Sequence, residues 1–137
     1  MPTARPQKTT KPHQKPHVLI VEDDTFLSGM YVTKLTMEQL DVTLACDGQE
    51  ALKTVKQNRP DIILLDLVLP KISGFDVLAA IRKDPDTKSI PIILLTNLGD
   101  RQDVRRGLKL GATDYLIKAH FLPSEVVEKV KHLLKLS

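Results

Sequence analysis

Five polar residues of this sequence share one kind of position, at the end of a short apolar run. Glu22 and Asp23 follow Val18-Leu19-Ile20-Val21, and Asp66 follows Ile62-Ile63-Leu64-Leu65. Thr96 follows Ile92-Ile93-Leu94-Leu95, and Lys118 follows Tyr115-Leu116-Ile117. If these runs are parallel strands of one sheet, the five residues converge on its carboxyl edge, where open α/β sheets bind their ligands. Three carboxylates gathered there repel one another, since two unit charges ~4 Å apart cost about 4 kcal/mol at an effective dielectric near 20. Such a cluster survives when a proton or a cation neutralises part of it. An all-oxygen set with few protein ligands suits Mg2+, which keeps several waters and often shares its shell with a phosphate. No His or Cys belongs to the set, which argues against zinc. A lysine and a hydroxyl aimed at the same point offer a cation and a hydrogen-bond donor to phosphoryl oxygens. The set therefore fits a phosphoryl group carried on, or near, a carboxylate. The first run leads into Glu-Asp-Asp and not into a glycine-rich phosphate loop, so no nucleotide is expected.

The elements that must position these residues are legible as an alternation. Short apolar runs without polar alternation read as strands covered on both faces, the mark of a parallel sheet. A weaker strand, Val42–Cys46, carries Thr43 and flanking Asp41 and Asp47, and reads as an edge. Between the strands lie helical patterns. Phe26, Leu27, Met30, Tyr31 and Leu35 recur at helical spacing after Asp24, which reads as a cap rather than a metal ligand. Asp47 and Glu50 form a capping-box pattern before Ala51, Leu52 and Val55. Ser73 precedes Val77, Leu78 and Ile81, and Asp100 opens a more polar helix that Gly111 stops. Pro123 opens the last helix, with Val126, Val127, Val130, Leu133 and Leu134 on one face. Gly107, inside the fourth helix, costs ~1 kcal/mol relative to Ala and predicts that this helix is the least stable. Five strands and five helices make an α/β, doubly wound (βα)5 unit with right-handed crossovers.

Composition removes other classes. The 137 residues are enough for one domain with its own core. The formal net charge of +3 is unevenly placed. Residues 1–17 carry Arg5, Lys8, Lys11 and Lys15 with no acid, whereas the remainder has 16 Lys and Arg against 17 Asp and Glu. The first segment, rich in proline and poor in apolar residues, reads as a disordered basic arm, and residues 18–137 as the folded domain. The nearly neutral body gives no reason to expect direct nucleic-acid binding. With no Trp and five aromatic residues, a base-stacking platform is not expected either. No apolar run is long enough to span a membrane, and the N-terminus lacks a secretory signal pattern. The single cysteine, Cys46, excludes an intrachain disulfide framework, fits a cytoplasmic location, and reads as a small buried strand residue. His13, His17, His120 and His132 follow no metal-ligand spacing.

Four stretches together resemble one family, the receiver domain of two-component response regulators. They are Val18–Asp24, Asp61–Pro70 leading into Ser73-Gly74, Pro91–Thr96, and Gly111–Lys118. The resemblance implies a flavodoxin-like five-stranded parallel sheet of order 2-1-3-4-5. It implies that Asp66 is the phosphoacceptor, receiving a phosphoryl group from a sensor histidine kinase or a phosphotransfer protein. Asp23 and Asp66 would hold Mg2+ directly with the backbone carbonyl of Val68, and Glu22 would act through a water. Thr96 and Lys118 would engage the phosphoryl oxygens, and Thr96 and Tyr115 would form the switch. The face of helix 4, strand 5 and helix 5 would then carry the signal to a downstream protein, or to a second copy in a homodimer. Such a module is a signalling domain rather than an enzyme, although it assists its own phosphorylation and dephosphorylation. The domain fills nearly everything after residue 17, as in stand-alone receivers.

The sequence departs from the family pattern at three positions. Ala119 follows the lysine where a cis proline is usual, so a trans bond is expected. Asn97 stands where a smaller residue is usual, and Val68 has no polar group to orient a hydrolytic water. Two other readings remain. A phosphorylation-independent adaptor would keep the fold alone, but all five site positions are filled. A Mg2+-dependent phosphatase would want a second acid beside the aspartate, but Asp66 is followed by Leu67 and Val68.

Overall fold

The computed structural model of the chain describes residues 15–136. Strands β1 (His17–Val21), β2 (Asp41–Ala45), β3 (Ile62–Leu65), β4 (Ile92–Thr96) and β5 (Asp114–Ile117) form one parallel sheet in the order β2-β1-β3-β4-β5. Helices α1 (Thr25–Met37), α2 (Gly48–Gln57), α3 (Gly74–Lys83), α4 (Arg101–Lys109) and α5 (Pro123–Leu133) connect and follow them. The alternation, the strand order and the edge position of β2 are those expected.

The strand residues split by parity between two cores. Val18, Ile20, Ile62, Leu64, Ile93, Leu95 and Leu116 face α1 and α5, whose Tyr31, Leu35, Val126, Val127 and Val130 close over them. Leu19, Val21, Ile63, Leu65, Ile92 and Leu94 face α2 and α3 through Val55, Val77, Leu78 and Ile81. Burial on both faces explains why the strands read as unbroken apolar runs.

The helix starts are fixed by side chains. Asp24 Oδ1 accepts the amides of Phe26 and Leu27 at 3.0 and 3.1 Å, and Asp47 Oδ1 accepts that of Glu50 at 2.8 Å. Ser73 Oγ accepts the Asp76 amide at 3.2 Å, and Asp100 Oδ1 that of Gln102 at 2.8 Å. The Leu122 amide donates to Glu125 Oε1 at 2.7 Å at the start of α5. Gly111 takes φ +110° after α4, a backbone conformation that favours glycine and ends the helix.

Four sequence expectations change. Of the basic arm expected over residues 1–17, positions 1–14 lie outside the described residues, but His17 opens β1 and the Pro16 carbonyl accepts the Asp41 amide at 2.9 Å. Phe26 is 80% exposed and not part of the α1 stripe, because the helix turns Ser28, Tyr31 and Leu35 inward instead. Cys46 is exposed, not buried, since β2 ends at Ala45 and the Cys46 amide donates to Glu50 Oε1 at 2.8 Å. A short 3-10 turn, Lys118–His120, also stands between β5 and α5, where the sequence showed no element.

Candidate functional site

The register of the sheet brings the expected residues together. Val21 pairs with Leu65 in neighbouring strands, so Glu22 and Asp66 leave the sheet side by side. The Glu22 amide donates to the Ala45 carbonyl, and the Asp66 amide to the Val21 carbonyl, each at 3.0 Å, so both backbones stay tied to the sheet. A Cβ on Gly74 would lie 2.2 Å from the Asp66 carbonyl oxygen, so glycine is what lets the start of α3 close under the β3 loop. The Gly74 amide seals that approach by donating to the Leu67 carbonyl at 2.9 Å.

Glu22 and Asp66 are buried, 4% and 6% exposed, whereas Asp23 is exposed. One carboxylate oxygen from each of the three lies within 4.8 Å of the others. Lys118 bridges the two buried acids, its Nζ 2.6 Å from Glu22 Oε1 and 2.8 Å from Asp66 Oδ2. The remaining oxygens are also held. The Asp24 amide donates to Glu22 Oε2 at 3.1 Å, and the Val68 amide to Asp66 Oδ1 at 3.2 Å.

The electrostatics follow from this burial. Desolvation pushes the Glu22 carboxyl above its ordinary range, against the lowering effect of Lys118 and the Asp24 amide, and the Asp66 charge adds to the rise. Desolvation alone would lower the Lys118 ammonium, but hydrogen bonds to Asp66 and Glu22, with their charges, outweigh it and hold it above the ordinary lysine value. With three ionised carboxylates and one ammonium, the formal surplus is two negative charges, which is the charge of a divalent cation. The donors are all oxygens, with Asp23 open to solvent, and this fits Mg2+ rather than a soft metal.

Thr96 and Tyr115 are connected to each other and not directly to Asp66. Thr96, fully buried at the end of β4, accepts the Leu98 amide on its Oγ1 at 3.3 Å. The Tyr115 hydroxyl in turn donates to the Leu98 carbonyl. Burial first, then the charges of Asp103, Asp66 and Asp100, push the Tyr115 phenol up to about 12. Gly107 of α4 lies against this ring, where an added Cβ would stand 3.1 Å from Cδ2 and 2.6 Å from Leu94 Cδ1. The glycine read from sequence as a cost in helix propensity is therefore a contact surface for Tyr115.

Among the departures, Val68 is 59% exposed and Asn97 is exposed. Ala119 follows Lys118 through a trans bond, in the 3-10 turn that carries the lysine. Asp24 serves as the α1 cap. Sequence reasoning gave His17 no role, but its amide donates to Asp61 Oδ2 at 2.7 Å, and its Nε2 lies 2.7 Å from Thr43 Oγ1. It also gave no polar role to Tyr31, which is 3% exposed and lines a small cavity with Glu22 and Asp66. No described helix is long and apolar enough to cross a membrane.

Known proteins share this fold. The response regulator receiver domain model matches residues 18–131. The DNA-binding dual master transcriptional regulator RpaA of Synechocystis sp. is 41% identical over 120 residues, covering 88% of this chain and 49% of that protein. The DNA-binding response regulator MtrA of Mycobacterium leprae is 41% identical over 118 residues, covering 86% and 51%. The chain thus spans about half the length of the curated relatives it matches. Among solved structures, the receiver domain of the Francisella response regulator 1452 superposes with a TM-score of 0.81 at 34% identity, covering 88% of this chain and 98% of that one. The Mn2+-bound form of response regulator Rcp1 superposes with a TM-score of 0.77 at 31% identity, covering 85% and 91%. By sequence and by fold, this chain belongs to the response regulator receiver domain family.

Proposed function

We propose that the chain accepts a phosphoryl group on Asp66 from the phosphohistidine of a sensor kinase or phosphotransfer protein, and acts as a signalling module and not as an enzyme that turns over a substrate. The observation that carries this reading is the Lys118 ammonium held between Glu22 and Asp66 at 2.6 and 2.8 Å. One Asp66 oxygen attacks phosphorus, the phosphorus–nitrogen bond to imidazole breaks, and the departing nitrogen keeps the electron pair. Lys118 already touches the accepting carboxylate, so it offsets the incoming charge with little reorganisation. The Val68 amide on the other Asp66 oxygen orients the carboxylate for attack.

Asp23 and Asp66 would hold Mg2+ directly with the Val68 carbonyl, and Glu22 through a water. When bound, Mg2+ supplies positive charge to the phosphoryl oxygens. The Mn2+-bound relative supports a divalent cation here. Two elements then read the new dianion. The Thr96 hydroxyl turns from the Leu98 amide toward a phosphoryl oxygen, and Leu98, whose carbonyl holds Tyr115, loses an anchor. Through Tyr115 and Gly107 the change reaches the surface of α4, β5 and α5, where a downstream protein or a second copy would dock.

Phosphotransfer from phosphoramidate with Mg2+, on native and Asp66→Asn protein, tests this reading. Label that alkali and hydroxylamine remove is expected on native protein and none on Asp66→Asn. Equal label on both would move the acceptor elsewhere. No label on native protein would leave a phosphorylation-independent adaptor, and steady phosphate release without label would point to a phosphatase.

A further inference from the structure

Tyr31 is a buried polar group that the proposed chemistry does not use. It sits on the inner stripe of α1, 3% exposed, among Val18, Ile20, Leu64 and Leu95. A leucine there would pack the same core without a hydroxyl to satisfy. No hydrogen bond joins the Tyr31 hydroxyl to any described residue, and the tyrosine lines a small cavity instead of being packed against a polar partner. Native proteins satisfy polar groups at such positions with ordered water when side chains do not.

The cavity beside it has the right size and lining for that. It measures about 10 Å³ and is walled by Tyr31, Glu22, Asp66 and apolar residues of β1, β3 and β4. That is about the volume one water centre requires, and a bound water needs two to four polar partners. The phenol and the two carboxylates supply three. Each carboxylate has lone pairs beyond those used by Lys118, the Asp24 amide and the Val68 amide. The phenol also lies within the field of the site. Burial pushes it up, while Lys118 and Glu22 act on it in opposite senses.

We infer that the Tyr31 hydroxyl holds a single buried water against Glu22 and Asp66 from the core side, and that Tyr31 is a positioning residue for the acidic site. The phenol donates to the water oxygen, and the water donates one proton to each carboxylate. Glu22 is thereby fixed from three directions, by Lys118, by the Asp24 amide and by this water. Outer partners of this kind set the orientation, and hence the metal affinity, of the groups they hold. The positioning role rests on the phosphoacceptor reading, but the water site does not.

The test uses the whole chain and its Tyr31→Phe variant, which keeps the ring and removes only the hydroxyl. A high-resolution crystal structure of native protein is expected to show one water within hydrogen-bond distance of the Tyr31 hydroxyl and of Glu22 or Asp66. Tyr31→Phe is expected to weaken Mg2+ binding, read by titration, by about three- to tenfold, the worth of one hydrogen bond. Its thermal midpoint should stay close to native. A dry cavity overturns the water site. A water with Mg2+ affinity unchanged in Tyr31→Phe overturns the positioning role, as does a lowered thermal midpoint with unchanged affinity. If native protein neither binds Mg2+ nor takes label from phosphoramidate, the phosphoacceptor reading and the positioning role fail, and the crystallographic water still decides the site itself.

Discussion

Helices α4 and α5 flank the same strand, β5, from opposite faces of the sheet, and they are held in different ways. α5 turns Val126, Val127 and Val130 into a core shared with Leu116 and with Tyr31 and Leu35 of α1. Its Lys131 also reaches Glu38 at the end of α1, Nζ to Oε1 2.8 Å. The only residue of α4 that is buried is Gly107, and Leu108 is 48% exposed. α4 is held by a glycine against the Tyr115 ring, by the guanidinium of Arg106 4.1 Å from the centre of the Phe75 ring, and by its cap at Asp100. Apolar burial resists displacement in proportion to area. A ring in a glycine-lined slot can leave the slot without opening a core. The contrast leaves α4 with little buried apolar surface of its own beside a well-buried α5, so α4 is the neighbour of β5 expected to open first.

The largest expected effect lies in local opening. Amides that open only with the whole domain exchange far more slowly than those of a helix that detaches alone. The central amides of α5 should be protected more than those of α4 by about two orders of magnitude, read by native-state hydrogen exchange. Equal protection of the two helices would erase the distinction between a fixed and a mobile neighbour of β5.

Gly107→Ala sharpens the comparison at a single atom. Helix propensity alone predicts a gain of ~1 kcal/mol. The structure predicts the opposite sign, because the new methyl would meet Leu94 Cδ1 at 2.6 Å and the Tyr115 ring at 3.1 Å. Overpacking of this kind costs about 1–3 kcal/mol, so the variant should be less stable in urea by about 1 kcal/mol net. A stabilised variant would mean that α4 does not rest on Tyr115.

What the sequence revealed and what it hid divide along physical lines. Strand ends were legible because double-sided burial leaves apolar runs that a charged residue must terminate, as at Val21–Glu22 and Leu65–Asp66. Caps were legible because a short polar side chain must meet the free amides of the first turn, as Asp24, Asp47, Ser73 and Asp100 do. The rotation of α1 was legible only by counting turns. Phe26 stands nine residues before Leu35, on the opposite side of the helix, whereas Ser28 stands seven before it, on the same side, and a stripe drawn by apolar character alone includes the wrong one of the two. Gly107 was legible as a cost in helix propensity but not as a contact, since its partner Tyr115 lies on another element. The sequence placed Lys118 at the site, but its paired contacts with Glu22 and Asp66 needed the register of β1, β3, β4 and β5. Tyr31 gave no signal, because an aromatic residue on a helix stripe looks the same whether or not a polar cavity lies under it.

The smallest effect concerns the link between α4 and the site through Tyr115, and it is read by pH. The Tyr115 phenol donates to the Leu98 carbonyl and must keep its proton to do so. Its value is raised from 10.0 to about 12 by burial and by neighbouring carboxylates. A raised value in the folded state means that the protonated form is the one that folding favours. The contribution is therefore complete below pH 10 and is lost as pH rises through about 12. Tyr115 is only half-buried, so solvent screens part of this contribution. In Tyr31→Phe protein, Tyr115 is the remaining tyrosine, and its ultraviolet titration should centre near 12. Over the same interval α4 amides should lose protection before those of α5. A midpoint at 10 would place the phenol in water, and α4 would then lack the tether that links it to Leu98 and Thr96.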